Sequence, residues 1–306
     1  MYDLIIIGSG PAGMTAGIYA QRAGLDALVI ERNFMSGGQI VDTYEVDNYP
    51  GFPSINGFDL AQKMREHADQ LSVQFKMGDV QKVEDLGEEK KVITAEETLT
   101  AKTVLFATGA KHSLLNIPGE AEYAGKGVSY CATCDGAFYK DKDVAVVGGG
   151  NVAVEDAIFL ARACRKVYLV HRRDQLRAQK ALQNKLFESD RIELVRNHLP
   201  VEIVGEDGMV NGLRTKDKNT NEEQLLDVSG VFIAVGIVPN SDGLDQVCKC
   251  DEKGYIIAGE DGRTSAPGIF AAGDVRQKEV RQVATAVGDG ANAVASVERY
   301  LNTKEW

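Results

Sequence analysis

The sequence is short of several things. It contains no apolar stretch approaching the roughly 20 residues of a membrane-spanning helix. Its first apolar run, Leu4–Ile7, ends at Gly8, and no basic segment precedes it. No membrane segment and no signal peptide are therefore expected, and the chain reads as a soluble, cytoplasmic protein. Basic residues are in deficit: 34 Lys and Arg stand against 45 Asp and Glu, a formal net charge of −11. That balance argues against a general partner of nucleic acid or anionic membrane, either of which needs a basic surface. Cysteine is sparse, with five in 306 residues, and an odd number in a chain of this length is not a secreted disulfide framework.

What remains is an ordinary globular composition, 44% hydrophobic and 26% charged, long enough for about two domains of ~150 residues. The 32 glycines fall in short clusters with no collagen-like period. The first cluster follows an apolar run that reads as a buried parallel strand, and an Ala-rich segment of helical character continues to about Ala23. Between them Gly8, Gly10 and Gly13 form G-x-G-x-x-G, with Ser9, Pro11 and Ala12 between the glycines. Such a loop needs glycine for a tight turn, for close approach to a pyrophosphate and for helix–strand packing, and the helix N-terminus then faces the phosphates. A second strand, Ala27–Ile30, ends at Glu31, whose carboxylate is placed to accept hydrogen bonds from an adenosine ribose.

The pattern returns 140 residues later at Gly148, Gly150 and Ala153, with Gly149, Asn151 and Val152 completing the loop. Alanine is an accepted third member of the motif. The same offset pairs Glu31 with His171, so the second unit lacks the acid. His171, Arg172, Arg173 and Arg177 stand there instead. A carboxylate at that place would repel a 2′-phosphate, whereas arginines pair with one, so the second fold is read as an NADPH site. The first fold, with its acid, suits NAD or FAD.

Cys131-Ala-Thr-Cys134 is a C-x-x-C. A zinc site would require two more ligands at finger-like spacing, and Cys248-Lys-Cys250 does not supply it. Two inert structural cysteines are the bland alternative. A redox-active dithiol is the preferred reading, and no metal site is expected. Asp135 follows directly, placed to exchange the proton that dithiol–disulfide interchange requires, or to serve as a turn residue before Gly136. Cys164, near the end of the second helix, is assigned to packing, and Cys248 and Cys250 are assigned no chemistry.

Taken in order, Gly8–Gly13, Gly37–Gln39, Asn48–Gly51, Ala107–Gly109, Cys131–Asp135, Gly148–Ala153, His171–Arg177, Ala272–Asp274 and Arg281–Gln282 resemble the low-molecular-weight bacterial thioredoxin reductases, from end to end. The resemblance implies an α/β fold of two Rossmann-like dinucleotide-binding domains, one inserted into the other. The FAD domain would comprise residues 1–112 and 245–306, and the NADPH domain, carrying the redox pair, residues 113–244. FAD would be contacted by Gly8–Gly13, Glu31, Arg32, Gly38, Gln39, Asn48, Gly109, Gly273, Asp274, Arg281, Gln282 and Val283. NADPH would be held by Gly148–Ala153 with His171, Arg172, Arg173 and Arg177. Cys134 would lie nearest the flavin, Cys131 would attack the disulfide of thioredoxin, and Asp135 would serve as acid/base. The family also implies a homodimer and rotation of one domain against the other. Pro267–Asp274 reads as a strand ending in a carboxylate, and Val283–Leu301 as a closing helix.

Asn151-Val152 departs from the Asp-Ser that many members carry. Asn151 would keep an N-cap oxygen while removing a charge near the pyrophosphate. Five alternatives stay open at this point: a reductase of a glutaredoxin-like or peroxiredoxin-linked partner, a ferredoxin-dependent flavin thioredoxin reductase, a small-molecule dithiol oxidase, an enzyme passing electrons from NADPH to ferredoxin, which would have no use for Cys131 and Cys134, and a nucleotide-binding redox sensor. The arginine run disfavours ferredoxin as donor, and a sensor would need an output region for which the two domains leave no room.

Overall fold

The structure, a computed structural model, describes residues 1–43, 46, 48–243 and 246–306. The chain opens with β1 (Tyr2–Ile7), α1 (Pro11–Arg22) and β2 (Ala27–Glu31). It continues with α2 (Gly57–Gln70), β3 (Gln74–Met77), β4 (Val80–Asp85), β5 (Lys90–Thr94), β6 (Thr98–Phe106) and β7 (Ala110–His112). Next come β8 (Val128–Ser129), α3 (Ala132–Asp135), β9 (Asp143–Gly148), α4 (Asn151–Leu160), β10 (Lys166–His171), α5 (Lys180–Phe187) and β11 (Ile192–Arg196). Three further strands, β12 (His198–Glu206), β13 (Met209–Asp217) and β14 (Glu223–Asp227), precede β15 (Gly230–Ala234) and β16 (Ile237–Pro239). The chain closes with β17 (Ile269–Ala271) and α6 (Val283–Thr303).

These elements divide into two compact units, Met1–Lys111 with Val238–Trp306, and His112–Ile237. The boundary expected between residues 244 and 245 lies outside the described residues. Each unit is Rossmann-like.

In the discontinuous unit the sheet runs β3-β2-β1-β6-β5-β4, with β17 beside the far end of β6. Strands β3, β2, β1, β6 and β17 are parallel, and β5 and β4 add an antiparallel edge. A parallel strand covered on both faces must be apolar throughout, which explains the unbroken Leu4–Ile7 run. Alternation divides it: Leu4 and Ile6 pack with Ala12, Ala16, Ala293 and Val297, while Ile5 and Ile7 pack with Leu28, Val104, Phe106 and Ile269. Small residues in α1 serve close packing, since a Cβ at Gly290 of α6 would fall 2.3 Å from the Ala12 carbonyl oxygen.

In the continuous unit five parallel strands run β11-β10-β9-β15-β8, and β12-β13-β14 form a separate antiparallel sheet. Val144 and Val146 face α4 through Ala153, Val154 and Ala157. Ala145 and Val147 face Ile203, Leu213 and Leu226 of the antiparallel layer. Fully burying a Leu, Ile or Val side chain contributes about 1.5–3 kcal/mol, so these two-faced strands dominate the stability of each unit. Helix α4 ends at Leu160, and Cys164 lies in the turn beyond it, fully buried. No helix among the described residues is long and apolar enough to cross a membrane.

Candidate active site

The first glycine loop joins β1 to α1. Gly8 has φ +102°, and a Cβ there would meet the Ala107 carbonyl oxygen at 2.5 Å. A Cβ at Gly13 would lie 1.8 Å from the Gly8 oxygen, so the helix rests directly on the turn. Gly10 faces open space, with nothing nearer to its Cβ position than Gly37 O at 4.0 Å. Helix α1 starts at Pro11 with no side-chain cap, which leaves first-turn N–H groups for an anion. Ser9 is fully buried, and its N–H and hydroxyl both donate to Glu31 Oε2, at 2.8 and 2.7 Å. Asn33 N–H donates to Glu31 Oε1 at 2.8 Å. A carboxylate has about four acceptor sites, so Glu31 braces the loop and keeps room for one further donor.

Of the other residues expected at this cofactor, Gly38 and Gly273 meet the loop or the first turn of α1, and Asn48 meets Gln282. Gly37 N–H donates to Ser9 O at 2.9 Å, and a Cβ at Gly38 would sit 3.4 Å from Gly10 Cα. Gln39 donates to the carbonyl of Ala110, and Asn48 donates to Gln282 Oε1 at 3.0 Å. A Cβ at Gly273 would be 2.9 Å from that of Ala12, against the first turn of α1. Burial raises the carboxyl of Asp274, while Lys278 and Arg281 pull it back. Asp274 Oδ1 and Arg281 Nε are buried without a hydrogen-bond partner, and the Arg281 guanidinium covers the Tyr255 ring at 4.1 Å. Val283 begins α6. The Gly109 carbonyl accepts from Asn240 N–H at 3.0 Å. Arg32 is exposed after β2.

The second loop repeats the design with one substitution of means. Gly150 has open space at its Cβ position, and Ala153 is fully buried. A Cβ at Gly149 would fall 2.1 Å from His171 Nδ1, so the imidazole is packed under the loop. His171 is 4% exposed; burial lowers its pKa, and its Nε2 lies 3.1 Å from Gln175 O. It is a prop for the glycines, in place of the carboxylate brace of the first loop. Arg177 N–H donates to Gly149 O at 2.7 Å, which ties the basic run to the loop, and Arg172, Arg173 and Arg177 all extend into solvent. Asn151 does not cap α4. Gly150 is the N-cap, and Asn151 Oδ1 instead accepts from Gln179 N–H at 2.9 Å. Val152, 57% exposed, sits on the open side of that first turn.

Cys131 and Cys134 are joined in a disulfide, with Cα atoms 5.3 Å apart. Cys131 caps the short α3, and its carbonyl accepts from Cys134 N–H at 3.3 Å and Asp135 N–H at 3.1 Å. Thr133 Oγ1 lies 3.4 Å from Cys131 Sγ. Burial raises the Asp135 carboxyl, and a hydrogen bond from Ser129 partly offsets this. Asp135 Oδ1 is buried without a partner. Two contributors escape sequence reasoning. Ser129, at the end of β8, donates to Asp135 Oδ2 at 2.6 Å and accepts from Cys131 N–H at 3.1 Å. Glu120, 4% exposed, accepts from Leu115 N–H, Asn116 N–H and the Tyr130 hydroxyl beside Cys131. No motif announces either residue, because each is defined by what the fold brings to it. Cys164 is buried, its thiol pushed up to about 11, which suits packing and not chemistry.

The profile described as pyridine nucleotide-disulphide oxidoreductase matches residues 2–290. The thioredoxin reductase of Listeria monocytogenes is 47% identical over 301 residues, 98% of this chain and 94% of that protein. That of Bacillus subtilis is 46% identical over 302 residues, covering 98% and 95%. The crystal structure of thioredoxin reductase from Streptococcus pyogenes matches with a TM-score of 0.92 at 48% identity over 99% of both chains. The chain belongs to the thioredoxin reductase family of pyridine nucleotide-disulphide oxidoreductases.

This family uses FAD and NADPH. In this thioredoxin reductase-family chain the residues suit both. The discontinuous unit offers an uncapped helix start, the open side of Gly10 and the buried acceptor Asp274 Oδ1. The continuous unit offers the open side of Gly150 with three solvent-facing arginines.

Proposed function

We propose that this chain is an NADPH-dependent thioredoxin-disulfide reductase, with FAD bound by the discontinuous unit and NADPH by the inserted one. The observation that carries this reading is the Cys131–Cys134 disulfide followed by a half-buried carboxyl, one oxygen of which is buried and uncommitted. Bound FAD supplies a two-electron carrier between the NADPH hydride and this disulfide. The chain's own residues do the rest. Gly8–Gly13 and Gly38 receive the phosphates of one dinucleotide, and Glu31 its ribose, while Asp274 and Arg281 present buried polar atoms to it. Arg172, Arg173 and Arg177 pair with the 2′-phosphate of the other, which selects NADPH over NADH.

Reducing the pair breaks one S–S bond, takes up two electrons and forms two S–H groups. Asp135 Oδ1 supplies a proton to one sulfur and later removes one. Its burial favours the protonated form, which fits the carboxyl to give a proton as well as to take one. The thiolate of Cys131 attacks one sulfur of the thioredoxin disulfide and displaces the other. Cys134 then attacks Cys131 Sγ, which re-forms the resting disulfide and releases reduced thioredoxin. A cytoplasmic location and a homodimer belong to the same proposal and rest on the family resemblance.

The test is an absorbance spectrum of the purified protein, followed by NADPH titration without and with oxidised thioredoxin. Bleaching of a flavin band by NADPH, and its return with thioredoxin, is the expected result. A band that NADPH leaves unbleached would overturn the donor assignment.

A further inference from the structure

Ser129 sits where the short edge strand β8 gives way to the redox motif, paired in register with Phe232 of β15. It is 4% exposed. A serine hydroxyl has one hydrogen to donate and two lone pairs. The donor direction is decided by distance: Asp135 Oδ2 lies at 2.6 Å and Cys131 O at 3.3 Å. The oxygen meanwhile accepts from Cys131 N–H at 3.1 Å. One side chain thus links the backbone of the first redox cysteine to the carboxylate that follows the second. It also makes the two oxygens of Asp135 different. Oδ2 is committed, and Oδ1 is buried with no partner.

We propose that Ser129 is a positioning residue of the redox centre, holding Asp135 so that Oδ1 alone is presented to the cysteine pair. The inference rests on the acid/base role given to Asp135 above. In the step concerned, a Cys131 S–H bond breaks and its proton passes to Asp135 Oδ1; the sulfur keeps the electron pair and forms the new S–S bond with the substrate. The proton returns to the leaving substrate sulfur, so nothing is consumed. Without the Ser129 hydroxyl either oxygen is free to turn, the Cys131 N–H loses its acceptor, and burial acts on Asp135 unopposed.

The surrounding groups leave few other titrations to confuse the result. Tyr139, next along the chain, is pushed up to about 12 by burial and by the charge of Asp135, and the Cys164 thiol near it to about 11. Helix α4, which packs on α3, carries Glu155 and Asp156, and burial and Glu155 raise Asp156 to about 7. Strand β15, beside β8, has no ionisable side chain. Asp156 is therefore the group to control for.

The experiment compares holoenzyme with Ser129→Ala, Ser129→Thr, Asp135→Asn and Asp156→Asn. Two quantities are followed against pH: thioredoxin reduction, and the alkylation rate of the chemically reduced pair by iodoacetamide. Ser129→Ala is expected to lower kcat about tenfold with little change in KM for thioredoxin. It should move the rise of both profiles to higher pH, because the bond that holds the Asp135 pKa down is gone. Ser129→Thr should restore both, and Asp156→Asn should leave the rise where it is. If Ser129→Ala matches the wild type while Asp135→Asn is impaired, this inference fails and the acid/base reading stands. If Asp135→Asn itself turns over at the wild-type rate, both fail. A fall in kcat without a profile shift, a fall that Thr does not repair, or an equal shift in Asp156→Asn would also overturn the proposal.

Discussion

Asp289 of α6 holds the guanidinium of Arg276 at two points, Oδ1 to Nη2 at 2.7 Å and Oδ2 to Nε at 2.8 Å. Both side chains are nearly fully buried. The same Oδ2 accepts from Lys278 Nζ at 2.9 Å and from the N–H of Gly273 at 2.8 Å. Asp289 therefore anchors the segment that carries Asp274. Asp289→Asn leaves two cations buried against a neutral amide, and the cost expected for breaking such a pair is about 3–5 kcal/mol. Chemical denaturation at neutral pH measures it.

The same pair has a pH signature. Burial alone would raise the Asp289 carboxyl, but the hydrogen bonds from Arg276 and Lys278 outweigh it and hold the pKa below the ordinary value. A depressed carboxylate contributes stability that is complete above its unfolded value near 4 and disappears as pH falls through the folded one. The stability gap between wild type and Asp289→Asn should therefore be constant above about pH 5 and close on further acidification. Thermal melts across that range test it, and a gap that widens in acid would contradict the assignment.

Gly13→Ala should cost about 1–3 kcal/mol through overpacking, because its Cβ meets the Gly8 oxygen at 1.8 Å. The purified variant should show little flavin absorbance. Ala153 occupies the corresponding place in the second loop, and Ala153→Gly should retain NADPH binding.

Arg172→Ala and Arg173→Ala should each raise KM for NADPH about tenfold, the loss of one charge-assisted hydrogen bond. KM for NADH should stay the same. Steady-state kinetics with the two nucleotides reads the difference, and equal effects on both would refute 2′-phosphate recognition.

Cys131→Ser and Cys134→Ser should each reduce thioredoxin turnover by roughly a thousandfold or more, since neither hydroxyl replaces the nucleophile. NADPH should still bleach the flavin band in both. Wild-type thioredoxin reduction by Cys131→Ser would dismiss the dithiol mechanism.

The parts of this molecule that depend on neighbours along the chain are legible in the sequence. The strand, turn and helix at Leu4–Ala23 and their repeat 140 residues on are local patterns, and the structure has β1, α1, β9 and α4 in those places. The closing helix expected over Val283–Leu301 runs Val283–Thr303. What depends on folding is not legible there. His171 is expected from the sequence as an NADPH contact beside the arginines, yet its ring is buried under the loop, because Gly149 has no side chain to keep it away. Asn151 reads as a cap, but Gln179 N–H competes successfully for its oxygen. Ser129, Glu120 and Asp289 are ordinary residues in the sequence, made special by partners that only the fold delivers.

The insertion has one further consequence. Where residues 112–237 leave the discontinuous unit, its two loose ends are fastened to each other. The Thr108 hydroxyl donates to Asn240 O at 2.7 Å, Asn240 Nδ2 donates to Thr108 O at 2.9 Å, and Asn240 N–H donates to Gly109 O. On the inserted side Ser113 N–H donates to Gly236 O at 2.9 Å. Each unit is thus stitched shut at its own seam, the condition under which inserted domains are tolerated. In evolutionary terms, ends held this close are what lets a unit enter a loop of its host while the host keeps its own core whole.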